Sequence, residues 1–403
     1  MSLDRFRLVL LAAACFVATG GPVEAQGARY LYVWAADEDQ ADTDFLAIID
    51  ADPSSPTYAQ VLDTVPVGFA GRAHHTEHVM PEGGRLFVNS FYGNRTFLLD
   101  LRNLDSPRVS TSFGAMGPYQ FLHSFDRRPN GNVIATFQQK GEDGSQPGGL
   151  VELTPEGEFV RGADAADPVD PDLRPYSLLV LPERDRVITT TTDMAGELYA
   201  SSIQFWRLSD LNLMRTIRLP AGVRGNEGRH PAEPRRVGND GTVMMNTFFC
   251  GLYRLDEVAS ETPSAELVYS FPFQENPRRT CALPVVDGSF WVQAVAAANA
   301  LVAVDVSNPG TPRTAGKVSF GEGAWPHWIS GELGGHRIVV TGFDTLLHQV
   351  QLAEIDPDSG RLSVITGFRD PGSDQPGVRF DRDSWPHGDT GPAVPHGAVF
   401  SRR

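Results

Sequence analysis

Cysteine is almost absent from this 403-residue chain, which holds only Cys15, Cys250 and Cys281. So few thiols exclude a disulfide-dense scaffold, and no C-x-x-C motif is present. Positive charge is scarce too: 34 Lys+Arg stand against 50 Asp+Glu, a net charge of −16. That balance argues against nucleic acid and against anionic lipid as partners. Beyond the first 25 residues, no apolar run approaches the roughly 20 residues that a bilayer-spanning helix needs. The rest of the chain also lacks the 3.6-residue apolar spacing of a long amphipathic helix. There is no G-x-S-x-G nucleophile turn, no H-E-x-x-H zinc helix and no phosphate-binding glycine loop.

Glycine and proline are plentiful, at 40 and 30 residues, and apolar residues reach 41%. This composition fits many short elements joined by turns around a sizeable core. Residues 1–25 read as a secretory signal: a basic start at Arg5 and Arg7, an apolar run from Leu8 to Ala18, and Val23-Glu24-Ala25 at the cleavage site. The expected location is therefore periplasmic or secreted, with no integral membrane segment in the mature chain. Lipid anchoring at Cys15 is the lesser alternative, because Ala12 stands where a lipoprotein signal wants leucine. In an oxidising compartment Cys250 and Cys281 can pair. The rival reading is a Cys281 thiolate that reaches a metal.

One pattern recurs and organises the chain. A polar residue opens a short extended stretch, a turn follows, and a β-branched or aromatic strand begins 10–11 residues after the opener. The openers are His75, His123, Tyr176, Glu233, Thr280 (or Cys281), His327 and His396, spaced by 48, 53, 57, 47, 47 and 69 residues. The long last spacing contains a Gly/Pro/Asp-rich insertion around residues 369–393. Between openers lie further strands such as RTFLLDL from Arg95 and LVAVDVS from Leu301. A period of about 40–50 residues with four strands per unit is the signature of propeller blades. The expectation is an all-β chain: a single domain over residues 26–403 forming a seven-bladed β-propeller. The last repeat stops after one strand, and the N-terminal strands of residues 29–50 complete its blade. That closure leaves no open sheet edge.

The first strand of each blade lines the central channel, so the openers converge on one axis. Four of the ten histidines would meet there, and neutral imidazole suits Cu, Zn, Fe and Ni. The metal candidates are His74, His75, His123, His327 and His396. Strand alternation turns His74 and His75 to opposite faces unless a bulge intervenes. Glu233, Arg235 and His327 are the candidate catalytic residues, with Glu233 as base oriented by Arg235, or as one half of a blade-to-blade ion pair. His78 and Glu77 have a core or neighbouring-blade reading. His387, in the insertion, reads as a loop residue or a cover for the channel mouth.

AHHTEH at 73–78, FLHSFD…GNVIATF at 121–137, IQFWRLSDLNLMRTIRL at 203–219, Glu233-x-Arg235 and the terminal His396 resemble the selenium-binding protein / methanethiol oxidase family. The resemblance implies a seven-bladed propeller with copper held by His74, His75, His123 and His396. It also implies oxidation of the small thiol methanethiol to formaldehyde, hydrogen sulfide and hydrogen peroxide. The chain departs from the family at His327, where Gln is expected, and at the Ala294–Ala300 region, where a His-Gly-Asp step is expected. Zinc or iron are the alternative metals. The alternative functions are a metal-dependent lyase, hydrolase or oxygenase, or a non-catalytic metal- or protein-binding propeller.

Overall fold

The computed structural model describes residues 27–170, 173–194, 200–238, 240–272, 280–342 and 348–402. The expected signal segment and Cys15 lie outside them. Among the described residues there are seven antiparallel sheets and only two short 3-10 turns, at Pro182–Arg184 and Ala296–Ala298. The sheets are the seven blades of a β-propeller.

Blade one is made from both ends of the chain. The strand Ala393–Phe400 pairs with Tyr30–Asp37, which continues into Phe45–Asp50 and Val61–Pro66. The closure expected from the half-repeat is therefore the one observed. Blade two contains Arg85–Ser90, Arg95–Asp100 and Arg108–Phe113, with residues 74–77 bonded to its inner edge. Blades three to seven open with Tyr119–Arg127, Pro175–Leu181, Pro231–Val237, Cys281–Asp287 and Pro326–Gly331. These first strands pack side by side around the ring.

Burial follows position in the blade. Second and third strands such as Arg186–Thr191 and Phe45–Asp50 are buried along their whole length, because each sheet is covered on both faces. Outer strands such as Arg108–Phe113 and Arg313–Ser319 are largely exposed. Most apolar clusters lie between neighbouring blades, while the largest runs through blades five, six, seven and one and reaches Phe91 and Tyr176. Trp34, Leu86, Val88 and Phe97 join blades one and two, and Leu178, Val187 and Trp206 meet Ile134 and Leu150 between blades three and four. Burying these side chains contributes roughly 1.5–3 kcal/mol each, so the ring is held by many blade contacts.

Cys250 and Cys281 form a disulfide, with Cα atoms 5.1 Å apart, across the seam between blades five and six. Cys281 is thus no thiolate ligand. The bond closes a span of 31 residues, which in the chain-entropy account stabilises by about 3–4 kcal/mol. A Cys250→Ala/Cys281→Ala double variant is expected to lose stability on that scale in denaturant melts. A loss below about 0.5 kcal/mol would show that the bond carries little of the seam.

The insertion adds the short strand Val378–Arg379 to blade seven and packs its following residues on blade one. Trp385 lies 4.6 Å from the Phe45 ring, and His387 lies 4.9 Å from the same ring while sharing a hydrogen bond with Thr64 (2.6 Å). His387 is therefore a packed loop residue, without the channel-covering role that was its alternative.

Candidate metal centre on the propeller axis

The geometry of the axis starts from a backbone irregularity. In blade two His74 N–H donates to the Asn89 carbonyl (2.8 Å), while Asn89 N–H donates to the His75 carbonyl (2.9 Å). Two residues thus face one, which is a β-bulge, and a bulge re-aims side chains. It removes the alternation that would separate the two histidines: their rings stack at 4.0 Å with 5° between planes. The first strands of the other six blades also shift register near this level, at Leu122/Phe125, Pro175/Leu178, Pro231/Pro234, Cys281/Pro284, Pro326/Trp328, and opposite Val33/Ala35 in blade one.

Polar side chains on the second strands hold these bulges. Asn89 Oδ1 accepts His75 N–H (2.8 Å), Thr136 Oγ1 accepts Ser124 N–H (3.1 Å), Thr190 Oγ1 accepts Ser177 N–H (3.0 Å) and Asn246 Oδ1 accepts Glu233 N–H (3.1 Å). Each then donates to a carbonyl of the next blade, for example Thr136 to Tyr176 (2.6 Å) and Thr190 to Ala232 (2.7 Å). Sequence reasoning missed this set. Its signal was a polar residue 12–14 positions after the bulge in the second strand, inside FVNSF, IATF, TTTT and MMNTF.

The bulges bring imidazoles together. His74, His75 and His396 place one ligand nitrogen each within 4.8 Å of the others, and all three are buried. The His123 ring lies 4.4 Å from His75 and 5.0 Å from His74. Its Nδ1 is 2.9 Å from the Tyr176 carbonyl. A carbonyl accepts only from N–H, so the proton sits on Nδ1 and Nε2 carries the ring's lone pair. His327 is also buried but lies outside the three-histidine set, with its ring 5.1 Å from His396 and 6.5 Å from Phe248. Gly397 lets blade one approach: a Cβ there would lie 2.5 Å from Thr76 N.

The electrostatics favour neutral rings. Burial, then the neighbouring imidazoles His74, His123 and His396, push the His75 pKa well below its ordinary value. Burial pushes His396 down to about 3. Neutral imidazole is the ligand form. His75 Nε2 is buried with no hydrogen-bond partner among the described residues. An all-nitrogen donor set with no carboxylate in it fits copper, and also zinc or iron.

Aromatic rings wall one side. Phe91 lies 5.7 Å from His74 and 5.4 Å from His123, Phe248 lies 5.6 Å from Tyr176, and Tyr92 at the rim is 41% exposed. Further along the same strands the lining turns polar. Trp328 lies 4.8 Å from the His75 ring and stacks on His78 at 4.6 Å. Arg235 donates to Glu233 Oε2 (2.8 Å) and to His78 Nε2 (3.1 Å), and Ser177 Oγ donates to Glu233 Oε2 (2.6 Å). His78 and Arg235 line two adjoining cavities of about 560 and 500 Å³. Burial raises the Glu233 pKa against the opposing pull of Arg235 and Ser177. Glu77 instead pairs with Arg127 of blade three (2.6 Å). Sequence reasoning did not select His78, although it falls in the same HHTEH segment.

This site and fold define a class: a seven-bladed β-propeller with buried histidines gathered on its axis. No family model matches the chain. A methanethiol oxidase from a Hyphomicrobium species is 31% identical over 140 residues, 32% of this chain. The match spans 32% of that relative's length. The X-ray structure of a hypothetical selenium-binding protein from Sulfolobus tokodaii superposes with a TM-score of 0.74 at 18% identity, over 94% of each chain. A periplasmic gluconolactonase from Pseudomonas aeruginosa superposes with a TM-score of 0.60 at 13% identity, over 91% of this chain and 96% of that one. At such identities the structural likenesses speak for the fold. With the methanethiol oxidase match they bear out the family reading: the chain resembles the selenium-binding protein / methanethiol oxidase family in sequence and in fold. Among the described residues no helix is long and apolar enough to cross a membrane.

Proposed function

We propose that this protein is a copper-dependent oxidase of a small thiol, acting in the periplasm or outside the cell. The observation that carries the reading is the buried set His74, His75 and His396 on the axis, in a chain similar to a methanethiol oxidase. These three imidazoles hold the copper, with His123 as the further ligand. Bound copper supplies the redox chemistry that couples thiol oxidation to reduction of oxygen. In the proposed reaction methanethiol, oxygen and water give formaldehyde, hydrogen sulfide and hydrogen peroxide, which balances in atoms and electrons.

The chain's own residues do the rest. The aromatic wall of Phe91 and Phe248 supports a small apolar substrate, because it excludes water and offers no polar group to a larger one. Glu233 is the proton acceptor. Its Oε1 is buried with no hydrogen-bond partner among the described residues, and burial raises its proton affinity, which favours proton uptake. Arg235 and Ser177 hold Oε2 and so fix the carboxylate. His78 accepts from Arg235, which puts its own proton on Nδ1. The Cys250–Cys281 disulfide supports an oxidising compartment.

The activity test is release of sulfide and peroxide from methanethiol by copper-loaded protein. Both products are expected in equal amounts. If neither appears, the substrate assignment is wrong.

A further inference from the structure

Asn89 is fully buried on the second strand of blade two, and its contacts converge on the histidines. Its carbonyl accepts His74 N–H (2.8 Å), its N–H donates to the His75 carbonyl (2.9 Å), and Oδ1 accepts His75 N–H (2.8 Å). Nδ2 crosses to blade three and donates to the carbonyls of Leu122 (2.7 Å) and His123 (3.0 Å). The carbonyl also accepts Trp34 Nε1 (2.8 Å) from blade one, whose first strand carries His396. One residue therefore ties down the backbone of His74, His75 and His123.

We propose that Asn89 is the positioning residue of the histidine centre: it holds the bulge that turns both His74 and His75 to the axis and fixes His123 against them. The proposal rests on the metal reading above. It differs from ring-wide stitching by an internal comparison. Asn246 makes the same side-chain bonds in blade five: Oδ1 accepts Glu233 N–H (3.1 Å) and Nδ2 donates to the carbonyls of Ala282 (2.8 Å) and Cys281 (3.2 Å), yet its side chain bonds no histidine among the described residues. Thr136 and Thr190 do both jobs with one hydroxyl, accepting the bulge N–H and donating to the next blade. A threonine at position 89 is therefore a conservative replacement with precedent in the same ring.

The experiment compares full-length wild type with Asn89→Ala, Asn89→Thr and Asn246→Ala. Cu(II) affinity is read by chelator competition, the copper environment by electron paramagnetic resonance, and stability by melting temperature. Both alanine variants are expected to melt lower by similar amounts. Only Asn89→Ala is expected to lose copper affinity, by about 10–100-fold, the usual cost of removing a group that orients ligands. It is also expected to show altered copper hyperfine splitting. Asn89→Thr is expected to recover most of the affinity, and Asn246→Ala to keep the wild-type value.

If Asn89→Ala does not fold, Asn89→Asp takes its place. It keeps the acceptor for His75 N–H but sets an oxygen against the Leu122 and His123 carbonyls, and the same loss is expected. Equal copper affinity in Asn89→Ala and wild type, or equal losses in Asn89→Ala and Asn246→Ala, would overturn the positioning role alone. A wild type that takes up no copper overturns the metal reading and this inference together.

Discussion

Replacing His75 with alanine is expected to empty the metal centre: copper content falls from about one per chain toward zero, affinity falls by more than ~10²-fold, and thiol oxidation is lost. The effect is large because His75 stands at the middle of the group. Its ring touches His74 at 4.0 Å, His123 at 4.4 Å and Trp328 at 4.8 Å. Its Nε2 is buried without a partner among the described residues, an arrangement that costs free energy unless a ligand satisfies it. His327→Gln is the contrast. His327 lies outside the three-histidine set, so this variant is expected to keep its copper. Dialysis followed by metal analysis checks both variants. Copper retained in His75→Ala, or lost only in His327→Gln, would move the centre toward His327. Proton competition adds a second signature. Because burial lowers the His75 and His396 pKa values, the rings stay neutral in mild acid, and copper affinity is expected to change little between pH 7.5 and pH 5.

Replacing Arg235 with leucine is expected to destabilise the fold by about 3–5 kcal/mol at pH 8, the usual effect of leaving a buried charge unpaired. Glu233 is wholly buried, and among the described residues Arg235 is its one ion-pair cation close enough to bond, at 2.8 Å; His78 stands 3.7 Å away and is held neutral by burial and by Arg235. The pH dependence follows from proton counting. Burial already raises the Glu233 pKa above 4.5 in the native state, and losing Arg235 raises it further. Between the unfolded and native values the native state binds more protons, so stability falls as pH rises. The variant should therefore lie closer to wild type at pH 4 and drop away as pH climbs to 8. Adding Glu233→Gln removes the stranded charge and is expected to restore most of the loss. Urea melts of the four proteins at both pH values check this. A loss independent of pH, or one that Glu233→Gln does not relieve, would mean that Arg235 acts through packing alone. Activity separates base from brace: Glu233→Gln with Arg235 intact keeps the fold and is expected to lose turnover.

The repeat was legible because a propeller repeats its physics. Each blade needs a first strand at the axis, a turn and a buried second strand, so AHHTEH, FLHSFD and VPHGAVF announce themselves by register. Closure of blade one was legible from a lone strand at one end and unpaired strands at the other. What strand periodicity could not give was the bulge. A period of two sends His74 and His75 apart, and only the two-against-one pairing with Asn89 brings them together. The stitching residues were hidden for a related reason: a threonine in TTTT reads as β-propensity, and its hydrogen bond to the next blade appears only once the blades are side by side. His78 was passed over because it lies three positions beyond His75 along an irregular strand. Its place beside Arg235 depends on a blade more than 150 residues away.

Metal analysis of protein isolated from the periplasm by gentle purification tests the central claim most directly. About one copper per chain is expected, with a Cu(II) resonance showing nitrogen hyperfine splitting from the imidazoles, and loss of both in His75→Ala. Stoichiometric zinc, or no metal at all with the histidine substitutions silent, would contradict a copper oxidase.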